Sequence, residues 1–151
     1  MTETFEAPHI LIVDAPYYKA ISDELRAAAI EELEKDGCTY EIVEVPGAFE
    51  LPAAIKFATH RKDGRSFDGF IALGVVIRGE TSHYDYVCVE SARKLQDLAV
   101  DHDLAIGYGV LTVENEQQAW ARAKRDEKNK GGFVARACLE MVKLKRQFGI
   151  H

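Results

Sequence analysis

The sequence predicts an α/β fold in which a parallel β-sheet carries helices on both faces. Short apolar runs alternate along the chain with segments of helical periodicity, in the order β-α-β-α-β-α-β-α-α. The third apolar run lacks polar alternation, which is typical of a strand buried on both sides in a parallel sheet. Right-handed crossovers between parallel strands in this order place helices on both faces.

The first two predicted strands enclose a helix. Residues 9–13 are rich in β-branched side chains, and Pro16 beyond them suits a helix entry. The helix is predicted over residues 18–35, with Gly37 as its stop, and residues 39–45 form the second strand. The helix has one apolar stripe, formed by Ile21, Leu25, Ala28, Ala29 and Leu33.

The middle of the chain predicts a helix, a buried strand and a second helix. Pro46 and Gly47 indicate a turn before a helix over residues 51–60. The apolar run 67–77 forms the third strand, and a helix follows over residues 84–103. The inward side chains of this last helix are Val87, Leu95 and Leu98.

A glycine-containing strand and two helices complete the chain. The fourth strand is predicted over residues 104–111, where Gly107 and Gly109 indicate close approach of another backbone or of a ligand. A short helix covers residues 116–125 and a long one residues 130–148. The predicted inward side chains of the long helix are Val134, Ala137, Met141 and Leu144.

Length and charge limit the classes of protein to consider. With 151 residues, we expect a flexible N-terminal arm over residues 1–8 and one domain over residues 9–151. The net charge of −6 argues against a nucleic-acid or membrane-surface binder, because both partners need a positive surface. An anionic small ligand is still compatible with this charge, since a few local cations can dominate one pocket.

The cysteines indicate a reducing compartment. Cys38, Cys88 and Cys138 are odd in number and widely spaced, which suggests neither a disulfide framework nor a zinc site. The acidic N-terminus lacks the apolar core of a signal peptide. We therefore expect a cytoplasmic protein that binds no metal.

The polar loop after the third strand contains the residues best suited to chemistry. Segment 79–81 at a helix entry could cradle a phosphate with free N–H groups, or could simply cap the helix. It matches neither a P-loop nor GxGxxG. His83 could exchange protons near neutral pH, or be an ordinary surface histidine. Arg122 and Lys130 could capture a phosphate, or form part of a solvated face.

Aromatic residues stand at the ends of other predicted strands. Tyr17 and Tyr18 follow the first strand, and Phe49 follows the second. Such rings could sandwich a planar heterocycle or serve in ordinary packing. Segment 75–77 could likewise be core, or could offer backbone groups to the same ring.

Four stretches together resemble lumazine synthase, the penultimate enzyme of riboflavin biosynthesis. They are Val-Pro-Gly-Ala-Phe-Glu-Leu-Pro at 45–52, Ala-Leu-Gly-Val-Val-Ile-Arg-Gly-Glu-Thr-Ser-His-Tyr-Asp-Tyr at 72–86, Gly-Val-Leu-Thr at 109–112 and Asn-Lys-Gly at 129–131. They occur in the expected order and spacing, and the resemblance extends from about His9 to Phe148. As a set they are highly specific.

The resemblance implies a fold, a reaction and an assembly. The fold is a flavodoxin-like three-layer sandwich with a four-stranded parallel sheet. The reaction, that of a transferase, condenses 5-amino-6-(D-ribitylamino)uracil with 3,4-dihydroxy-2-butanone 4-phosphate to 6,7-dimethyl-8-ribityllumazine, releasing phosphate and water without metal or organic cofactor. The active sites would lie between adjacent subunits of a homopentamer or a multiple of pentamers, with riboflavin synthase as a further partner.

The resemblance also implies roles for individual residues. His83 corresponds to the proton-transfer histidine. Glu80, Thr81 and Arg122 correspond to the residues that bind the butanone phosphate, with Lys130 as a second cation. Tyr108 matches an aromatic residue that the neighbouring subunit supplies. The positions that match the ribitylaminouracil site are Tyr17, Ala48, Phe49, Glu50, Val75, Val76, Ile77 and Tyr108.

Two departures from the family pattern leave alternatives open. Where the family usually has Ser-Arg-Phe-Asn, this chain has Ala-Pro-Tyr-Tyr at 15–18, so Tyr17 takes the aromatic role, with Tyr18 as the alternative. Residues 124–128 replace the Gly-rich turn of many shell-forming members, which favours a free pentamer or a pair of pentamers. A flavin- or lumazine-binding module with little synthase activity is the main alternative function. A flavodoxin-like electron carrier ranks behind it, because the first loop lacks the necessary Ser/Thr/Gly-rich phosphate loop.

Overall fold

The computed structural model describes residues 6–151, and its four strands form one parallel sheet in the order β2-β1-β3-β4. Of the predicted arm, residues 1–5 lie outside the described residues, and 6–8 precede the first strand without regular secondary structure. The elements are β1 (His9–Ala15), α1 (Lys19–Lys35), β2 (Thr39–Glu44), α2 (Leu51–Thr59), β3 (Gly69–Ile77), α3 (His83–Asp101), β4 (Ile106–Val113), α4 (Glu116–Ala123) and α5 (Lys130–Gln147).

Helices cover both faces of the sheet, which confirms the predicted three-layer α/β fold. Helices α1, α4 and α5 pack on one face, where Ile12 and Ile71 of the sheet meet Leu25 of α1. Helices α2 and α3 pack on the other, where Val13 meets Leu51 and other apolar side chains. The predicted inward residues of α1 and α3 are buried. Strands β1 and β3 are therefore enclosed on both sides, which the apolar sequence of β3 predicted.

The glycines of β4 allow the backbone of α5 to come close to the sheet. A Cβ atom at Gly107 would collide with the carbonyl oxygen of Val134, and one at Gly109 would lie 2.9 Å from the carbonyl oxygen of Ala72. The predicted close approach is thus confirmed, and the approaching group is protein backbone.

The predicted inward face of α5 is wrong in part. Val134 is buried, but Met141 and Leu144 are 45% and 40% exposed. The reason is that α5 turns its small residues inward: a Cβ atom at Gly131 would collide with the carbonyl oxygen of Leu25 in α1. The side chains of α5 that are buried are Val134, Ala135, Cys138, Leu139 and Val142.

Two strands extend further than predicted at their carboxyl ends. β1 includes Asp14 and Ala15, and β4 continues to Val113, which pairs with Ile77 of β3. Asp14 is tolerated inside the sheet because its carboxylate forms an ion pair with Arg26 of α1.

Among residues 6–151, no helix combines the length and apolar character needed to cross a bilayer.

Candidate active site

A cavity of about 410 Å³ lies beyond the carboxyl ends of β1, β2 and β3. The residues that follow β1 and β2 form its walls together with the end of β3, and the start of α3 closes one side. Because β1 and β3 are the neighbours at which the sheet order reverses, this is where open α/β proteins bind ligands. The residues lining the cavity are Ala15, Tyr17, Tyr18, Pro46, Gly47, Ala48, Phe49, Glu50, Val75, Val76, Ile77, His83 and Val87.

The loop after β1 supplies one aromatic wall. The rings of Tyr17 and Tyr18 meet edge to face, with centroids 4.9 Å apart. Tyr17 is 76% exposed, whereas Tyr18 packs against the core and caps α1. The face of Tyr17 is therefore open to a planar ligand, while much of Tyr18 is committed to packing.

The segment after β2 supplies the opposite wall. Residues Ala48–Glu50 form a short 3₁₀ turn, in which the N–H of Glu50 donates to the carbonyl oxygen of Gly47 at 3.1 Å. Ala48 is buried and anchors the turn, whereas Phe49 is 59% exposed. The end of β3, from Val75 to Ile77, adds an apolar surface between the two walls.

His83 begins α3 and lines the same cavity. Its backbone N–H donates to the hydroxyl oxygen of Thr81 at 3.3 Å. Within residues 6–151, the imidazole of His83 forms no hydrogen bond or ion pair, so both ring nitrogens are available to a ligand. Glu80 and Thr81 are exposed in the preceding loop and do not line the cavity.

Arg78 fixes both ends of this loop. Its Nε donates to Glu114 at 2.8 Å and its Nη1 to Asp85 at 3.3 Å, while the guanidinium lies 4.2 Å from the ring centroid of Tyr84. The loop containing Glu80 is thus held between β3, α3 and the end of β4. No sequence pattern identifies Arg78 as the residue that holds this loop, because Glu114 is 36 residues away and Asp85 lies in a different element.

Tyr108, Arg122 and Lys130 lie outside the cavity. Tyr108 is on the edge strand β4, beside α3, and burial raises its pKa. Arg122 in α4 donates to the carbonyl oxygen of Gln118 at 3.0 Å. The ammonium of Lys130 lies 4.7 Å from the ring centroid of Phe133. A single chain therefore joins the aromatic walls to His83 but does not bring these three side chains to them.

The site offers no metal cluster or activated thiol within the described chain. Among residues 6–151, no group of three or more His, Cys, Asp or Glu side chains is arranged to hold a metal ion. The three cysteines are free. Burial raises the pKa of Cys88, which disfavours the thiolate that a nucleophile needs.

The topology and the cavity define a class: a flavodoxin-like α/β protein with a cavity at the carboxyl end of the sheet, between β1 and β3, which is where proteins of this class bind ligands. The sequence model of the 6,7-dimethyl-8-ribityllumazine synthase family matches residues 7–146. The chain belongs to this family.

Relatives with that name align over nearly their whole length. A 6,7-dimethyl-8-ribityllumazine synthase from Bartonella bacilliformis is 59% identical over 143 residues, covering 94% of this chain and 93% of the relative. One from Agrobacterium fabrum is 54% identical over 144 residues, covering 94% and 97%. A protein from Rhizobium meliloti named 6,7-dimethyl-8-ribityllumazine synthase 1 is 56% identical over 143 residues, covering 93% and 94%.

Proposed function

We propose that this chain is a transferase of riboflavin biosynthesis that forms 6,7-dimethyl-8-ribityllumazine from 5-amino-6-(D-ribitylamino)uracil and 3,4-dihydroxy-2-butanone 4-phosphate. The observation that carries the proposal is the cavity at the β1/β3 switch point, which combines two exposed aromatic walls with the imidazole of His83, unpaired within residues 6–151. Family membership and relatives named for this product agree with it.

The aromatic walls suit the pyrimidine substrate. In this proposal Tyr17 stacks on the uracil ring, and the segment from Ala48 to Glu50 faces it across the cavity. Backbone groups at the end of β3 would orient the ring and the ribityl chain. The exposed ring of Tyr17 and the open end of β3 support this arrangement, since flat heterocycles bind well between aromatic and apolar faces.

The loop before α3 suits the phosphorylated ketone. Glu80 and Thr81 lie just before the N-terminus of α3, and the positive end of the helix dipole favours an anion there. We propose that Arg122 of a neighbouring subunit completes the phosphate site, with Lys130 as a second cation. A guanidinium binds phosphate in a bidentate manner, which fixes the orientation of the ketone.

The proposed chemistry consists mainly of holding two reactive molecules together. The 5-amino group of the uracil attacks the ketone carbonyl, and loss of water gives an imine. Phosphate then leaves with the electron pair of its C–O bond. Loss of a proton from the neighbouring carbon accompanies this departure and leaves an enol, which tautomerises to a new carbonyl. The ribityl-bearing nitrogen attacks this carbonyl, and loss of a second water closes the ring. Proximity carries much of the rate, while His83 accepts and returns protons during these steps.

We further propose that the working unit is a pentamer or a multiple of pentamers, with each site between adjacent subunits. The position of Tyr108 and Arg122 outside the cavity supports this, because each would reach the site of a neighbour. Exposed apolar side chains on α3 and α5 provide surface for such contacts. They include Tyr86, Val89, Val100, Phe133 and Phe148.

Three remaining features belong to the same proposal. Residues 9–151 act as one domain, for which the sheet and its two helical layers provide a core. The protein works in the cytoplasm, where free cysteines are usual. Riboflavin synthase consumes the product and is the expected partner.

The test is to mix the two substrates with the purified protein, following lumazine absorbance and phosphate release, and to measure assembly size by sedimentation. We expect product and phosphate in equal amounts, from particles of five subunits or a multiple. Tight binding of lumazine without product would instead identify a binding module. A catalytically active monomer would contradict the shared site.

A further inference from the structure

We propose that Arg26 is a positioning residue that holds the two walls of the cavity at their working separation, through Asp14 and Glu44. The inference rests on the proposed function for the identity of the ligand between the walls. Arg26 lies on α1 and lines no part of the cavity itself. Its effect would therefore pass through the ends of β1 and β2.

One guanidinium joins the ends of two strands. Nε of Arg26 donates to Oδ2 of Asp14 at 2.9 Å, and Nη2 lies 2.7 Å from the same oxygen. Nη2 also donates to Oε2 of Glu44 at 2.8 Å. Asp14 and Glu44 are register partners in adjacent parallel strands. The planar fork of an arginine fixes these directions better than a lysine ammonium could.

Both walls begin within a few residues of this bridge. Ala15 and Tyr17 follow Asp14, while Pro46 and Ala48 follow Glu44. A backbone hydrogen bond of 2.9 Å, from the N–H of Val45 to the carbonyl oxygen of Asp14, joins the two chains where the walls begin. Beyond this bond the chains separate, so the angle at which they leave the sheet depends on how the bridged residues are held.

The bridge is poorly explained as a stabilising feature alone. Asp14 is fully buried, and its Oδ1 accepts no hydrogen bond from any residue in the described part of the chain. Burial raises the pKa of Asp14 even though Arg26 acts in the opposite direction. An apolar pair would fill the same space without this desolvation cost. What the charged pair adds is a defined geometry at the base of both walls.

The bridge acts on one half of the site. In the proposed function the walls bind the ribitylaminouracil. The loop of Glu80 and Thr81, which would bind the phosphorylated ketone, follows β3 and is held by Arg78, Glu114 and Asp85. These residues do not touch Arg26. Loss of the bridge should therefore weaken binding of the uracil and leave binding of the phosphorylated ketone unchanged.

The experiment compares Arg26→Met with Arg26→Lys and with Arg136→Met as the matched control. Arg136 of α5 also joins two carboxylates, Asp36 at 2.9 Å and Glu32 at 3.1 Å, but does so away from the cavity. For Arg26→Met we expect KM for the ribitylaminouracil to rise about 10-fold, with KM for the ketone phosphate within about 2-fold of wild type. Arg26→Lys should recover part of the loss, and Arg136→Met should change neither KM.

Two further measurements keep the test decisive. Glu44→Gln removes the charge of the exposed arm of the bridge but keeps an acceptor oxygen, so it should fold normally and raise the uracil KM by about 3-fold, less than Arg26→Met. Calorimetric binding of the ribitylaminouracil alone reports on the walls even if no lumazine forms. If the wild type forms no product, the proposed function is rejected, and the binding measurement still tests the positioning role of Arg26. Unchanged uracil affinity in both Arg26→Met and Glu44→Gln would overturn the positioning role.

Discussion

The two ends of the sheet each contain a histidine, and the two histidines are in opposite situations. At the amino end, Glu41 accepts hydrogen bonds from Arg61 at 2.6 and 2.8 Å and lies 2.7 Å from Nε2 of His9. The His9 ring stacks on Phe67 with centroids 5.2 Å apart. At the carboxyl end, the imidazole of His83 has no partner within residues 6–151. His9 is thus paired with its neighbours, while the imidazole of His83 is available to a ligand.

This difference matters because the larger cavity lies at the amino end. Its volume is about 620 Å³, against about 410 Å³ for the candidate active site. Its walls include Arg61 and Arg65, which already bind acidic side chains of the same chain. Paired charges offer little to an incoming ligand. We therefore propose the carboxyl end as the functional end because the imidazole of His83 is available there, although its cavity is smaller.

The sharpest way to break this contrast is to remove the imidazole. For His83→Ala we expect kcat to fall about 10²–10⁴-fold, because a proton-transfer group is lost, without abolishing turnover. The thermal midpoint should stay within a few degrees of wild type, since the side chain forms no internal hydrogen bond. Steady-state kinetics and calorimetry measure both quantities. Wild-type turnover in this variant would remove His83 from the mechanism.

The opposite expectation holds for Glu41, where we expect a small change in stability and none in activity. Hydrogen bonds from Arg61, and then from His9, lower the pKa of this carboxyl from 4.5 to about 2. A lowered pKa in the folded state stabilises the protein above pH 4.5, and that contribution is lost as the pH falls towards 2. Because Glu41 is partly exposed, solvent screening limits the effect to about 1 kcal/mol.

Urea unfolding of Glu41→Gln at fixed protein concentration, at pH 7 and pH 3, tests this expectation. The variant should be less stable than wild type at pH 7, and the gap should narrow at pH 3. Glu140→Gln, which changes an exposed carboxylate on α5, is the control. A gap independent of pH, or a loss of lumazine formation, would show that the amino end is not purely structural.

Periodicity was sufficient to predict most of the fold. The buried stripe of α1 and the doubly buried strand β3 followed from spacing alone. Periodicity failed to predict the inward face of α5. Glycines let this helix approach the sheet with its small residues, and Met141 and Leu144 consequently face outward. Hydrophobic spacing identifies a stripe but cannot tell which of two apolar stripes faces the core.

The candidate site was predictable where it depends on loops that follow strands. Tyr17, Phe49 and His83 meet in one cavity because the carboxyl ends of parallel strands share one edge. The bridge between Asp14 and Arg26 was not predicted, since Asp14 lies just beyond the predicted first strand and no local pattern links it to Arg26, 12 residues later in a helix. Tyr108 and Arg122 do not reach this cavity within one chain, so their spacing in the sequence could not predict a role in it.

The central claim is that each active site takes His83 from one subunit and Arg122 from its neighbour, and subunit mixing tests it most directly. Equal amounts of His83→Ala and Arg122→Ala chains are unfolded, mixed and refolded together, then assayed at a ketone phosphate concentration where each variant alone is nearly inactive. Random assembly places both intact residues at about a quarter of the shared sites, so we expect about a quarter of wild-type activity to return. If the mixture is no more active than the two variants refolded separately, the shared site is contradicted.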